Sequence, residues 1–272
     1  MTPLDIPRLN SDEYLGKPAI LAAYQDLTKL TTRMVALHSL SLIPHVPQSF
    51  YCAWSGAIHI FIDEFSDRVN CSAVHELLHG ILVEEGYCGI AAHLPSYLHG
   101  IFSNEMQHPE IFRRMEAYGL DMSGYWSYWD KELKRFLADM LDKLSYDKHA
   151  GACHMPQLFT WFFFQHISAS YLEEYRRANS AAYLAARAAY EATKAIGFAN
   201  MERYRQSLEL FKGHWSRFCG DHLPGPFAQQ LAATIREGAV TPLLDAENGR
   251  AAEEIMTLLN DNGLDEAGWG QK

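Results

Sequence analysis

Apolar residues recur at helical spacing behind Pro18, at Ile20, Leu27, Leu30, Met34 and Leu37, and predict a helix from Pro18 to about His38. Pro44 and Pro47 end that period, and a period of two replaces it. Ile58, Ile60 and Ile62 alternate with Ala57, His59, Phe61 and Asp63, which predicts a strand with two distinct faces. Residues Ser49 to Trp54 precede it across Ser55-Gly56, so the two segments read as a hairpin with a tight turn. The helical period resumes at Ser72 and runs to Glu85, with Ser72 or Asn70 as N-cap and Gly86 just past the end. Gly89, Pro95 and Gly100 mark residues 87–101 as a loop.

Beyond this point the pattern is helical almost throughout. Helices are expected over 102–118, 125–146, 156–196 in one or two pieces, 199–212, 226–236 and 242–260. Pro226 and Pro242 serve as first-turn residues. The Ala-rich stretch from Ser180 to Ala195 suggests closely packed helices. The run Leu158-Phe159-Thr160-Trp161-Phe162-Phe163-Phe164 reads as helix core ahead of pocket lining. The expected fold class is therefore mainly α with a small β-hairpin or sheet.

Composition narrows the function classes. With 48% hydrophobic and 12% aromatic residues the chain can bury a sizeable core, which excludes wholesale disorder. No run approaches the 18 or so apolar residues of a membrane span. A net charge of -10 disfavours nucleic acid as a partner. The five cysteines are odd in number and form no CxxC, so neither a disulfide framework nor a thiolate zinc site is indicated. The opening MTPLDIPRLNSDEY lacks the basic head and apolar middle of a signal peptide, and a cytoplasmic location is the expectation.

The chemistry concentrates in His75-Glu76-Leu77-Leu78-His79. On a helix, His75 and His79 project from one face, one turn apart, and can place two imidazole nitrogens about 2.0–2.1 Å from one Zn²⁺. Glu76 follows the first ligand and can accept a proton from an attacking water. Thirteen histidines in the chain raise the chance of an accidental HExxH to roughly 4%, so its context decides. That context is an uncharged, apolar helix directly after the Ile58/Ile60/Ile62 strand, where an extended substrate could pair with the sheet edge.

Residues 57–81 resemble the core of the zincin metallopeptidases, and the resemblance extends over about residues 50–118. The metzincin branch would require Gly at position 82 and His at 85, where this chain has Leu82 and Glu85. The gluzincin branch places a Glu on a following helix, often after Asn, and Asn104-Glu105 fits it. Glu105 is thus the expected third metal ligand, with His108, His93, His99 and Glu110 as competitors. Pro109 complicates the choice, because its ring opposes the carbonyl of residue 105 in a regular helix; either the helix kinks at Glu105 or it begins at Pro109.

The resemblance implies a metallohydrolase holding one Zn²⁺ through His75, His79 and Glu105, with Glu76 as general base and a peptide or protein as substrate. Residues 1–150 would form the zincin-like catalytic core and 151–272 a helical subdomain, or the whole a single domain. His59 and Phe61 would border the substrate cleft. An oxyanion-stabilising donor would come from His149, His154, His166, Tyr171 or Tyr175. Glu84 and Glu85 are expected in solvent. Two other classes stay open: a helical binding or regulatory module with a structural or vestigial metal site, and a zincin effector or toxin with one protein target.

Overall fold

The computed structural model describes residues 15–39, 50–54, 57–62, 69–91 and 96–242. Among them the protein is mainly helical with two small sheets, and no helix is long and apolar enough to cross a membrane. Two compact units are distinguished. One comprises the described residues of Met1–Gly86 with Ile111–Met122; the other comprises Tyr87–Glu110 and Ser123–Pro242.

The first unit opens with helix α1 (Pro18–Leu30), which starts on Pro18 and buries Ile20, Ala23 and Leu27. The expected continuation to His38 does not form. Thr31 is extended (φ -115°, ψ 147°) and its hydroxyl accepts the amide of Arg33, a local bond that competes with the helix. Met34–Ser39 is instead strand β1, because Val35 and Leu37 satisfy a period of two as well as the helical one.

Strands β2 (Phe50–Trp54) and β3 (Ala57–Ile62) pair antiparallel, as the hairpin pattern predicts, although residues 55–56 lie outside the described residues. The sheet order is β1-β3-β2, with β1 parallel to β3 in the register Ala36↔His59 and His38↔Phe61. Being central, β3 is buried on both faces, so its alternation separates two packed surfaces rather than core from solvent. Helix α2 (Val69–Glu84) packs on β2 and β3 and against α1. It begins before the expected caps, with Asn70 and Ser72 already helical, and ends as expected at Gly86 with φ +82°. Glu84 and Glu85 are not solvated ends: Arg33 pairs with Glu84, and Arg114 forks onto Glu85 at 2.9 and 2.7 Å.

In the second unit the expected loop over 87–101 contains strand β4 (Cys88–Ala91) and the start of helix α3 (Ser96–Ala117). Strand β4 pairs antiparallel with β5 (Ala239–Pro242), so Pro242 is the last residue of a strand; the rest of the helix expected over 242–260 lies outside the described residues. Between them run α4 (Ser123–Tyr146), α5 (Gly151–Trp161), α6 (Gln165–Ala178), α7 (Ser180–Thr193), α8 (Met201–His222) and α9 (Gly225–Glu237). A 3₁₀ turn at Phe162–Phe164 and an Asn179 N-cap split the long helical stretch into three.

Helix α5 contains an internal proline, Pro156, which cannot donate to the carbonyl of Ala152. The indole Nε1 of the fully buried Trp215 donates to that carbonyl instead, at 2.9 Å. The aromatic run around it is core: Phe159 lies 4.7 Å from Phe211 between ring centroids, and Phe162 stacks on Tyr190 at 5.5 Å.

Candidate metal centre

Helix α2 holds the HExxH residues in a nearly dry setting, with His75, Glu76 and His79 only 6–8% exposed. Their one-turn spacing brings Nε2 of His75 to 3.2 Å from Nε2 of His79. Two nitrogens at that separation, each about 2.05 Å from a common ion, would subtend about 100°, close to a tetrahedral angle. Two imidazole nitrogens at such a separation are compatible with sharing one zinc ion.

Helix α3 runs as a single continuous helix through residues 105–112. Phe112 on that helix packs its ring 5.6 Å from the ring of His75. His108 stands four residues before Phe112 and so shares its face. Nitrogen atoms of His75, His79 and His108 all lie within 4.8 Å of one another, and all three residues are buried. This is the only group of three or more such side chains among the described residues.

Glu105 is placed beside His108 rather than in that group. Its Oε2 lies 3.4 Å from Nδ1 of His108, one helical turn away. Glu110 is buried but is not part of the group. His93 lies outside the described residues, as do the side chains of His99 and Asn104.

Pro109 sits inside α3 without ending it. Its missing amide would leave the Glu105 carbonyl unbonded, and Thr160 on α5 supplies the replacement: Oγ1 donates to that carbonyl at 3.0 Å. The turn bearing Glu105 and His108 is therefore pinned by a side chain remote in sequence. Trp129 on α4 packs edge-on to the His108 ring at 5.6 Å.

Burial pushes the Glu76 carboxyl well above the usual carboxylate range, opposed by a hydrogen bond from the Tyr51 backbone. Among the described residues no cation pairs with it in a salt bridge. A carboxyl so placed holds a proton far more readily than one in water.

His59 and Phe61 are buried in the sheet, at 4% and 1% exposure. His59 Nδ1 lies 3.0 Å from Nε2 of His38, which in turn stacks on Phe61 at 4.9 Å. The helical period places His38 at the end of a helix, whereas it lies on strand β1 beside His59. Of the expected oxyanion donors, His154 and Tyr175 meet each other at 2.9 Å, and Tyr171 donates to Asp130. His166 packs edge-on to Trp126, and His149 edge-on to Phe227. Burial, with Lys143 nearby, pushes His154 down to about 4.

No protein-family model, curated protein sequence or solved structure matches the chain.

Proposed function

We propose that the chain is a single-zinc hydrolase of zincin type, acting on amide bonds of a peptide or protein. The observation that carries this reading is the 3.2 Å approach of the His75 and His79 Nε2 atoms with the buried Glu76 between them in sequence. His75, His79 and His108 would hold the ion, a three-nitrogen set that leaves a fourth position for water and substrate. Zinc bound there would lower the pKa of a water and polarise a substrate carbonyl.

The remaining chemistry belongs to this chain. Glu76 takes up a proton at a carboxylate oxygen, favoured by its dry surroundings, and passes it to the departing amine. The Tyr51 backbone hydrogen bond orients that carboxylate. Among the described residues strand β2 is an edge of the sheet, and an extended peptide chain fits such an edge through main-chain hydrogen bonds.

Metal analysis of the purified protein tests the reading directly. About one zinc per chain is expected, lost on changing His75, His79 or His108 to Ala. Glu76→Gln should keep the zinc and lose hydrolysis of a peptide library. A chain that takes up no zinc under zinc-replete conditions, or a hydrolytic Glu76→Gln protein, overturns the proposal.

A further inference from the structure

The geometry points to Glu105 as a positioning residue that fixes the tautomer of His108, an inference that rests on the zinc reading above. A histidine that binds through one nitrogen needs the other to carry the proton. An acceptor placed on that second nitrogen sets the choice and holds the ring in plane with the ion. The Oε2 atom of Glu105 lies 3.4 Å from Nδ1 of His108. With Nδ1 beside the carboxylate as the protonated nitrogen, Nε2 would be the one that binds the metal.

Three features of the turn favour an orienting role. Both side chains are largely withdrawn from solvent, at 4% for His108 and 17% for Glu105, so water competes weakly for Nδ1. The Glu105 backbone is anchored by Thr160, which holds the carboxylate in register with the ring despite Pro109. The edge-on contact with Trp129 limits rotation of the His108 ring. Glu105 lies outside the three-histidine group, and its Oε2 sits beside Nδ1 of the histidine that belongs to it.

Two readouts test this, neither requiring activity. In the metal-free protein, imidazole ¹⁵N shifts, assigned to His108 by comparison with His108→Ala, should show the Nδ1–H tautomer; Glu105→Ala should move His108 toward a tautomer mixture. With zinc as the only probe, competition against a chromogenic chelator should show a 10–100-fold weaker affinity for Glu105→Ala. Glu105→Gln, which keeps an acceptor oxygen, should recover part of that loss. Circular dichroism of the metal-free variants checks that the fold is retained.

An Nε2–H tautomer in the wild type, or unchanged shifts and affinity in Glu105→Ala, overturns the positioning role while leaving the zinc reading intact. Complete loss of zinc in Glu105→Ala with retention in His108→Ala makes Glu105 the ligand and overturns it as well. A wild-type chain that binds no zinc removes the proposed function, whatever tautomer His108 shows.

Discussion

The hydroxyl of Thr160 donates to the backbone carbonyl of Glu105, the acceptor that Pro109 leaves without its helical amide. A proline inside a helix ordinarily costs about 3 kcal/mol. Here part of that cost is met by a donor from another helix, and the repaired turn is the one that carries His108. Fold stability and the placement of His108 are therefore tied to one hydroxyl.

Thr160→Val should remove the donor, keep the shape, and leave a carbonyl unsatisfied in a site where Thr160 is 2% exposed. The expected loss is about 1–3 kcal/mol, seen as a lower denaturation midpoint. Adding Pro109→Ala restores an amide at position 109, so the Thr160→Val penalty should shrink in that background. Equal penalties in both backgrounds would show that the hydroxyl does not compensate for the proline.

Gly80 follows His79 on α2, and a Cβ there would lie 3.1 Å from Leu27 Cδ2 and 3.2 Å from Tyr51 Cε2. Alanine gains about 1 kcal/mol of helix propensity. Overpacking against the fully buried Leu27 costs about 1–3 kcal/mol, so Gly80→Ala should be net destabilising by about 1 kcal/mol. Trimming the opposing side chain tests the cause: Gly80→Ala combined with Leu27→Ala should lose less stability than the two single changes added together. Thermal midpoints of the four proteins give the coupling.

Burial holds His154 neutral, with its titration pushed down to about 4 from the ordinary 6.5. The folded state thus refuses a proton that the unfolded chain accepts. Stability from this site is complete above about pH 6.5 and is lost as pH falls toward 4, by roughly 3 kcal/mol across the window. His154→Gln removes the titration while leaving a hydrogen-bonding group for Tyr175. Its unfolding free energy should vary less between pH 7 and pH 4 than that of the wild type. An identical pH dependence in the two proteins would assign the acid sensitivity elsewhere.

The parts of this architecture legible in the sequence are the local ones. The His75/Glu76/His79 spacing and the Ile58/Ile60/Ile62 alternation each fit within two helical turns or one strand, where backbone geometry alone dictates which side chains share a face. Strand β1 was not legible, because Val35 and Leu37 fit either period and the choice is made by pairing with β3 and by the Thr31 turn. That His108, and not Glu105, groups with His75 and His79 was not legible, because it turns on the packing of Phe112 and on whether Pro109 breaks the helix. Thr160 decides the latter from a distant helix, and no local pattern announces that donor. Pro156 repeats the lesson, since Trp215 completes its helix from α8.

If the close approach of the His75 and His79 Nε2 atoms serves a metal, as proposed above, the stability of the first unit should respond to zinc. Two buried ring nitrogens 3.2 Å apart can be satisfied by sharing one proton or by a common cation, and the cation serves both lone pairs. Ligand that binds only the folded chain stabilises it by about 2.7 kcal/mol at a free concentration 100 times the dissociation constant. Zinc should therefore raise the thermal midpoint of the wild type, and a strong chelator should reverse the gain. His75→Ala should show neither response, while Glu76→Gln, which leaves the nitrogens untouched, should show both. Because an imidazole must be deprotonated to bind metal, the zinc-dependent increment should fade as pH is lowered. Scanning calorimetry of the three proteins with zinc, with chelator and with neither measures the increment; an equal response in His75→Ala and wild type would place the stabilising ion away from this helix.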